Sequence, residues 1–164
     1  INLTGFSDYY SNTLVYFGME NIFIQNQLNK IEWNTLKLSE FPDYLISDLS
    51  ATKIESEGFE LTDCHDYKQG DYKYYLQTFK KNEWDLAKRL IVVNEVSNDK
   101  VYEGIYFTSE GTTFAPLDNQ WTGNLFKNMP PVIFGFQYHS FGCESITFID
   151  SQMKENRINC DNRH

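Results

Sequence analysis

The stretch DYKYYLQTF, residues 71–79, decides the fold of this chain. Successive side chains of a β-strand point to opposite faces, so Tyr72, Tyr74 and Leu76 would share one face and Tyr75 and Phe79 the other. Aromatic residues favour strands, and the chain carries 11 Tyr, 13 Phe and 3 Trp. The pattern therefore predicts a β-rich domain whose strands bring aromatic side chains to both faces.

Similar alternation recurs on both sides of this stretch. Further strands are predicted at residues 13–19, 58–64, 90–96, 101–108, 112–115, 132–138 and 145–149. Residues 90–96 are apolar on both faces, as a central strand would be, whereas residues 20–33 fit a helix and a strand equally well. Short turns join the later strands in order, with one helical turn capped by Asn82.

Consecutive hairpins favour an antiparallel up-and-down arrangement. We therefore expect a mainly β fold, either a closed up-and-down β-barrel (calycin-like) or a two-sheet jelly-roll sandwich, with one or two short helices. A barrel leaves no exposed strand edge. The length fits a single domain over residues 1–164, and for the polar tail 151–164 we expect disorder or a short helix.

Charge narrows the classes of partner. The chain has 23 acidic against 14 basic residues, a net charge of -9. This balance repels nucleic acid and anionic membranes, and no apolar run approaches the roughly 18 to 20 residues that span a bilayer. We expect neither nucleic-acid binding nor membrane insertion.

Two features favour a secreted or extracellular protein. The sequence begins at Ile1 rather than Met, and Asn2 opens a glycosylation sequon, Asn-Leu-Thr. Of the three cysteines, Cys143 and Cys160 are the pair we expect to form a disulfide, because that bridge would tie the polar tail to the last strand. The alternative is a cytosolic domain with three thiols.

The residues that could carry chemistry are scattered. Cys64 and His65 adjoin two aspartates, but neighbouring side chains on a strand point to opposite faces and cannot both hold one metal ion. No glycine-rich phosphate loop is present. We expect no metal, no cofactor and no catalytic residue, and we retain as an alternative a hydrolase that uses paired carboxylates or a thiol.

The functional signal lies in the aromatic residues, because Tyr and Trp combine an apolar face with a polar group. The leading hypothesis is a secreted, non-enzymatic protein that holds a small, largely apolar molecule inside an aromatic-lined barrel. The alternative is an open-faced β-sandwich that binds a glycan or a protein partner. The candidate ligand-binding residues are Trp121, Tyr74, Phe107, Phe134, Phe136 and Asn119.

Overall fold

The computed structural model describes residues 2–7, 13–18, 20, 24, 29–46, 49–108, 112–114, 116–124, 126–128, 132–134, 137–139, 146–149 and 154–158. The strands are β1 (Asn2–Ser7), β2 (Thr13–Gly18), β3 (Asn29–Lys30), β4 (Asn34–Leu36), β5 (Glu60–Gln69), β6 (Tyr72–Lys80), β7 (Leu86–Asn94), β8 (Asp99–Phe107), β9 (Thr112–Phe114), β10 (Trp121–Gly123), β11 (Val132–Phe134), β12 (Gln137–His139), β13 (Ile146–Ile149) and β14 (Glu155–Ile158). The helices are α1 (Asp43–Ile46), α2 (Leu49–Ser56) and two 3-10 helices, Leu38–Glu40 and Leu117–Asn119.

A five-stranded antiparallel sheet forms the centre of the molecule. Its strand order is β4-β5-β6-β7-β8, so each strand pairs with its neighbour in sequence. Gly70 in the β5–β6 turn has a φ of +58°, a conformation that glycine adopts without steric cost. The up-and-down arrangement predicted from the consecutive hairpins is confirmed for this sheet.

The expectation of a closed barrel is wrong. In the described part of the chain, β4 and β8 form the two edges of the central sheet and do not pair with each other. The remaining strands form smaller antiparallel groups: β11-β10-β3, β12-β9, β13-β14 and β1-β2. The mainly β prediction is confirmed, and the arrangement agrees with the sandwich option and its short helices.

One face of the central sheet packs against the groups β11-β10-β3, β12-β9 and β13-β14, which we call the second layer. Tyr74, Leu76, Leu90 and Val92 on this face are each fully buried. They form one apolar cluster with residues from the second layer, namely Ile31, Phe114, Ile133 and Ile149. This cluster therefore joins the two layers in one apolar core.

The opposite face packs against the helices. Leu45 of α1 and Phe41 cover Tyr75, Ile91 and neighbouring residues. Ile54 of α2 covers Phe79 and Ala87 with Phe59 in a separate cluster. The sheet is thus buried on both sides, which explains why its central strand β7 is apolar at nearly every position.

At three places the structure differs in detail from the predicted elements. Residues 132–134 form β11, which pairs with β10, whereas residues 137–139 form β12, which pairs with β9. Within the tail, residues 155–158 form β14, which pairs with β13. Asn82 caps a bend rather than a helical turn, and β7 begins at Leu86.

Candidate functional site: exposed aromatic residues

The predicted ligand-binding residues do not converge on one cavity. Tyr74 is fully buried between the two layers. Phe107 is 37% exposed, and its ring lies 5.6 Å from that of Phe59 in the helix-covered half of the molecule. Tyr74 and Phe107 thus lie on opposite faces of the sheet.

The other candidates are placed only in part. The backbone of Phe134 pairs with that of Trp121, and Asn119 ends a 3-10 helix, but their side chains lie outside the described residues. All of Phe136 also lies outside them. The same holds for Cys143 and Cys160 and for the side chain of Asn2, so the expected disulfide and glycan remain predictions.

Trp121 lies on the outer surface of the second layer. It is 41% exposed in β10, between Lys30 of β3 and the backbone of Phe134. Gln120 and Thr122 on either side of it are fully buried, as strand alternation requires. The Gln120 side chain points away from the Trp121 surface and accepts a hydrogen bond from Trp33.

Among the residues whose side chains are described, the most exposed aromatic side chain is Trp84, which the sequence reasoning did not single out. It is 79% exposed and belongs to the bend 81–85 between β6 and β7, which we call the hairpin tip. The sequence signal that marks it is a tryptophan inside a polar turn between two strongly alternating segments. A large apolar side chain in such a turn is buried only when it can reach the core. The Trp84 side chain does not reach the core.

Hydrogen bonds fix the backbone on both sides of Trp84. The Asn82 side-chain oxygen accepts hydrogen bonds from the backbone N–H groups of Trp84 and Asp85, at 2.9 and 2.8 Å. The Lys81 N–H donates to the carbonyl oxygen of Asp85 at 2.9 Å, which closes the turn. The Thr108 hydroxyl donates to the carbonyl oxygen of Trp84 at 3.1 Å. The indole is thus carried by a backbone that is held by Thr108, directly after β8, as well as from within the turn.

Charges of both signs surround the indole. Lys80, Lys81, Glu83 and Asp85 are all exposed. The amide nitrogen of Asn82 donates to the Asp85 carboxylate, so both polar ends of the Asn82 side chain are used inside the tip. Trp84 therefore stands as an apolar centre within a mixed polar rim.

Cys64 and His65 do not form a reactive pair. Cys64 faces the helices whereas His65, next to it on β5, faces the other way, as predicted. Cys64 is a free thiol, and burial raises its pKa, which disfavours the nucleophilic thiolate. Burial lowers the pKa of His65. Within the described residues, no group of three or more His, Cys, Asp or Glu side chains is placed to hold a metal ion.

A polar network lies beneath α1. Arg89 is fully buried and donates from Nη1 to the carbonyl oxygen of Leu45 at 2.8 Å and to Gln77 Oε1 at 2.9 Å. Its Nε lies 2.6 Å from Glu103, which also pairs with Lys100 at 2.6 Å. The network connects the sheet to the helical layer, so its geometry indicates a structural role.

Buried ionisable groups also occur between the layers. The Tyr102 and Tyr106 hydroxyl oxygens lie 2.9 Å apart, directly above Gly104, where a Cβ atom would meet the Tyr102 oxygen at 2.5 Å. Burial raises the pKa of Tyr102 to about 12. Burial lowers the pKa of Lys88 to about 8, and its Nζ lies 4.9 Å from the centre of the Phe114 ring.

No protein-family model matches the chain, and no significant match was found among curated proteins or solved structures. The described helices include none of the length and apolar character needed to cross a membrane.

Proposed function

We propose that the protein is a non-enzymatic recognition module that binds a protein partner through the hairpin tip, with Trp84 as the central contact. The observation that carries the proposal is the 79% exposure of an indole on a turn with a fixed backbone. Tryptophan is enriched among the few residues that dominate binding energy at protein interfaces. A rigid exposed turn also loses little conformational entropy on binding.

The surroundings of Trp84 favour a protein over the other ligand classes. An apolar centre with a mixed polar rim, here formed by Lys81, Glu83 and Asp85, is the usual anatomy of a protein interface. The neutral polar side chains at the tip, those of Asn82 and Thr108, already hydrogen-bond within the tip and its support, which leaves the hydroxyls of a glycan only charged partners. Glu83 and Asp85 flank the indole and would repel an anionic bilayer.

Phe107 lies at the strand end that supports the backbone of Trp84. It is the last residue of β8 and is 37% exposed, next to Thr108, whose hydroxyl supports the backbone of Trp84. The hypothesis of a carrier with an enclosed apolar ligand required a closed barrel, so the proposal follows the open-faced alternative. Secretion and the glycan at Asn2 are compatible with it and remain part of the proposal.

The test is affinity capture with matched baits from the cells that produce the protein. Wild type, Trp84→Ala and Val96→Ala are compared, because Val96 is 77% exposed in the turn at the opposite end of β7. A partner that Val96→Ala retains is then purified and titrated. We expect Trp84→Ala to weaken its binding by about 30-fold or more, as for a hot-spot tryptophan, with thermal stability unchanged.

A partner that binds Trp84→Ala as tightly as wild type would overturn the proposal. Loss of binding in Trp121→Ala alone would move the site to the outer face of β10, where a glycan is the competing ligand.

A further inference from the structure

Five side chains form a ring between the central sheet and the second layer. The Trp33 indole N–H donates to Gln120 Oε1 at 2.7 Å, and the Trp33 and Tyr67 ring centres lie 6.2 Å apart. The hydroxyls of Tyr67 and Thr122 both donate to Gln69 Oε1, at 3.2 and 3.3 Å. Because Gln120 and Thr122 lie two residues apart on one side of the chain, these contacts close a circuit that we call the polar ring.

The Gln120 amide has a defined orientation within this ring. The indole nitrogen of Trp33 can only donate, so the oxygen of the amide must face it. The Nε2 group then points away from Trp33 with two hydrogens. Gln120 is fully buried, and among the described residues Nε2 has no hydrogen-bond acceptor. Buried polar groups are almost always satisfied, by protein or by ordered water.

We propose that the polar ring is a binding site for one internal water molecule. The water oxygen accepts a hydrogen bond from Gln120 Nε2, and its hydrogens go to the hydroxyl oxygens of Tyr67 and Thr122. Gln69 Oε1 already accepts two hydrogen bonds and is not needed as an acceptor. The resulting three hydrogen bonds are the usual number for a buried water molecule.

The chemistry of the ring selects water over larger ligands. An apolar molecule offers no acceptor to Nε2. A flat polar molecule would have to separate Trp33 from Tyr67, whose rings meet nearly edge to face at an angle of 66°. A single water molecule is the smallest ligand that can offer Nε2 an acceptor.

The bound water gives the ring a positioning role that is independent of the hairpin tip. Gln120 and Thr122 flank Trp121, so a water that joins both of them to Tyr67 of β5 fixes the strand that presents Trp121. The site thereby links the outer aromatic surface of the second layer to the central sheet.

The test is the detection of a long-lived water molecule by NMR on the full chain. In wild type, we expect a rotating-frame cross-peak between water and the Gln120 side-chain amide protons, with the sign of a direct dipolar contact rather than of chemical exchange. Oxygen-17 relaxation dispersion should show one fewer long-lived water molecule in Gln120→Met than in wild type.

Two further variants distinguish loss of the bound water from a general loss of structure. Tyr67→Phe removes one water acceptor but leaves the Trp33–Gln120 hydrogen bond, so we expect a shorter residence time with that bond intact. Thr35→Val alters an exposed position of β4 outside the ring and should leave the water count unchanged. Absence of the cross-peak in folded wild type, or equal water counts in wild type and Gln120→Met, would overturn the proposal.

Discussion

Arg89 lies between the two apolar clusters on the helix-covered face of the sheet. Gln77 and Arg89 are cross-strand neighbours and form a polar pair. The pair lies between the cluster around Ile91 and the cluster around Phe79, and Leu61 packs against both clusters. A fully buried cation there must be compensated, and the Leu45 carbonyl, Gln77 and Glu103 provide acceptors.

Replacement of Arg89 by methionine should strongly destabilise the protein. The variant leaves Gln77 Oε1 and the Leu45 carbonyl without their donor in a buried region, so we expect the free energy of unfolding to fall by about 3 kcal/mol. Lys100→Met is the matched control, because it removes the other, more exposed partner of Glu103 and should cost less than about 1 kcal/mol. Urea denaturation measures both, and equal losses would contradict this account.

Lys88 makes stability depend on pH in a defined direction. Burial lowers its pKa from 10.5 to about 8, so between these values the unfolded chain binds more protons than the folded one. The contribution of Lys88 to the free energy of unfolding therefore rises as the pH rises from about 8 to 10.5. The raised pKa values of the buried tyrosines act in the opposite direction only near and above pH 10.

The expected result is that wild type gains stability relative to Lys88→Met as the pH rises from 8 to 9.5. Urea denaturation of both proteins at four pH values in this range measures the difference. A difference that is constant with pH would show that the folded-state pKa of Lys88 is not depressed.

At the scale of elements, the sequence predicted the strands in which alternate side chains are buried on at least one face of the sheet. Tyr72–Lys80 is the clearest case, because Tyr74 and Leu76 meet the second layer while Tyr75 and Phe79 meet the helices. The run 132–138 alternates equally well, but residues 132–134 pair with β10 whereas residues 137 and 138 pair with β9. Periodicity indicates which residues face inward and does not determine which strand lies beside them.

The elements that the sequence did not reveal are short and polar. Among the α2 residues whose side chains are described, Ile54 alone is buried. One buried residue does not produce the repeat of apolar positions that identifies a helix in a sequence. In β14, the sequence Glu-Asn-Arg-Ile carries one apolar residue, and its strand conformation comes from pairing with β13. Trp84 was missed for a related reason, since nothing in a polar turn tells whether its tryptophan folds back onto the core.

At the scale of the whole molecule, β6 and β7 are the best protected elements. Both are central in the sheet and covered on both faces, and Leu76, Leu90 and Ile91 are fully buried. The backbone amides of β6 and β7 should therefore exchange with deuterium only when most of the domain unfolds, and so more slowly than those of the other strands. Hydrogen exchange with mass spectrometry measures this order, and slowest exchange in β10 or β11 would contradict it.

The burial of Cys64 beneath α1 makes that residue a built-in reporter of helix detachment. The thiol is 5% exposed, lies in the cluster with Leu45 and Phe41, and has a raised pKa. An alkylating reagent can therefore modify it only while the helical cover is lifted from the sheet. The rate at which peptides containing Cys64 become labelled counts those openings in the native chain, without denaturant and without any introduced probe.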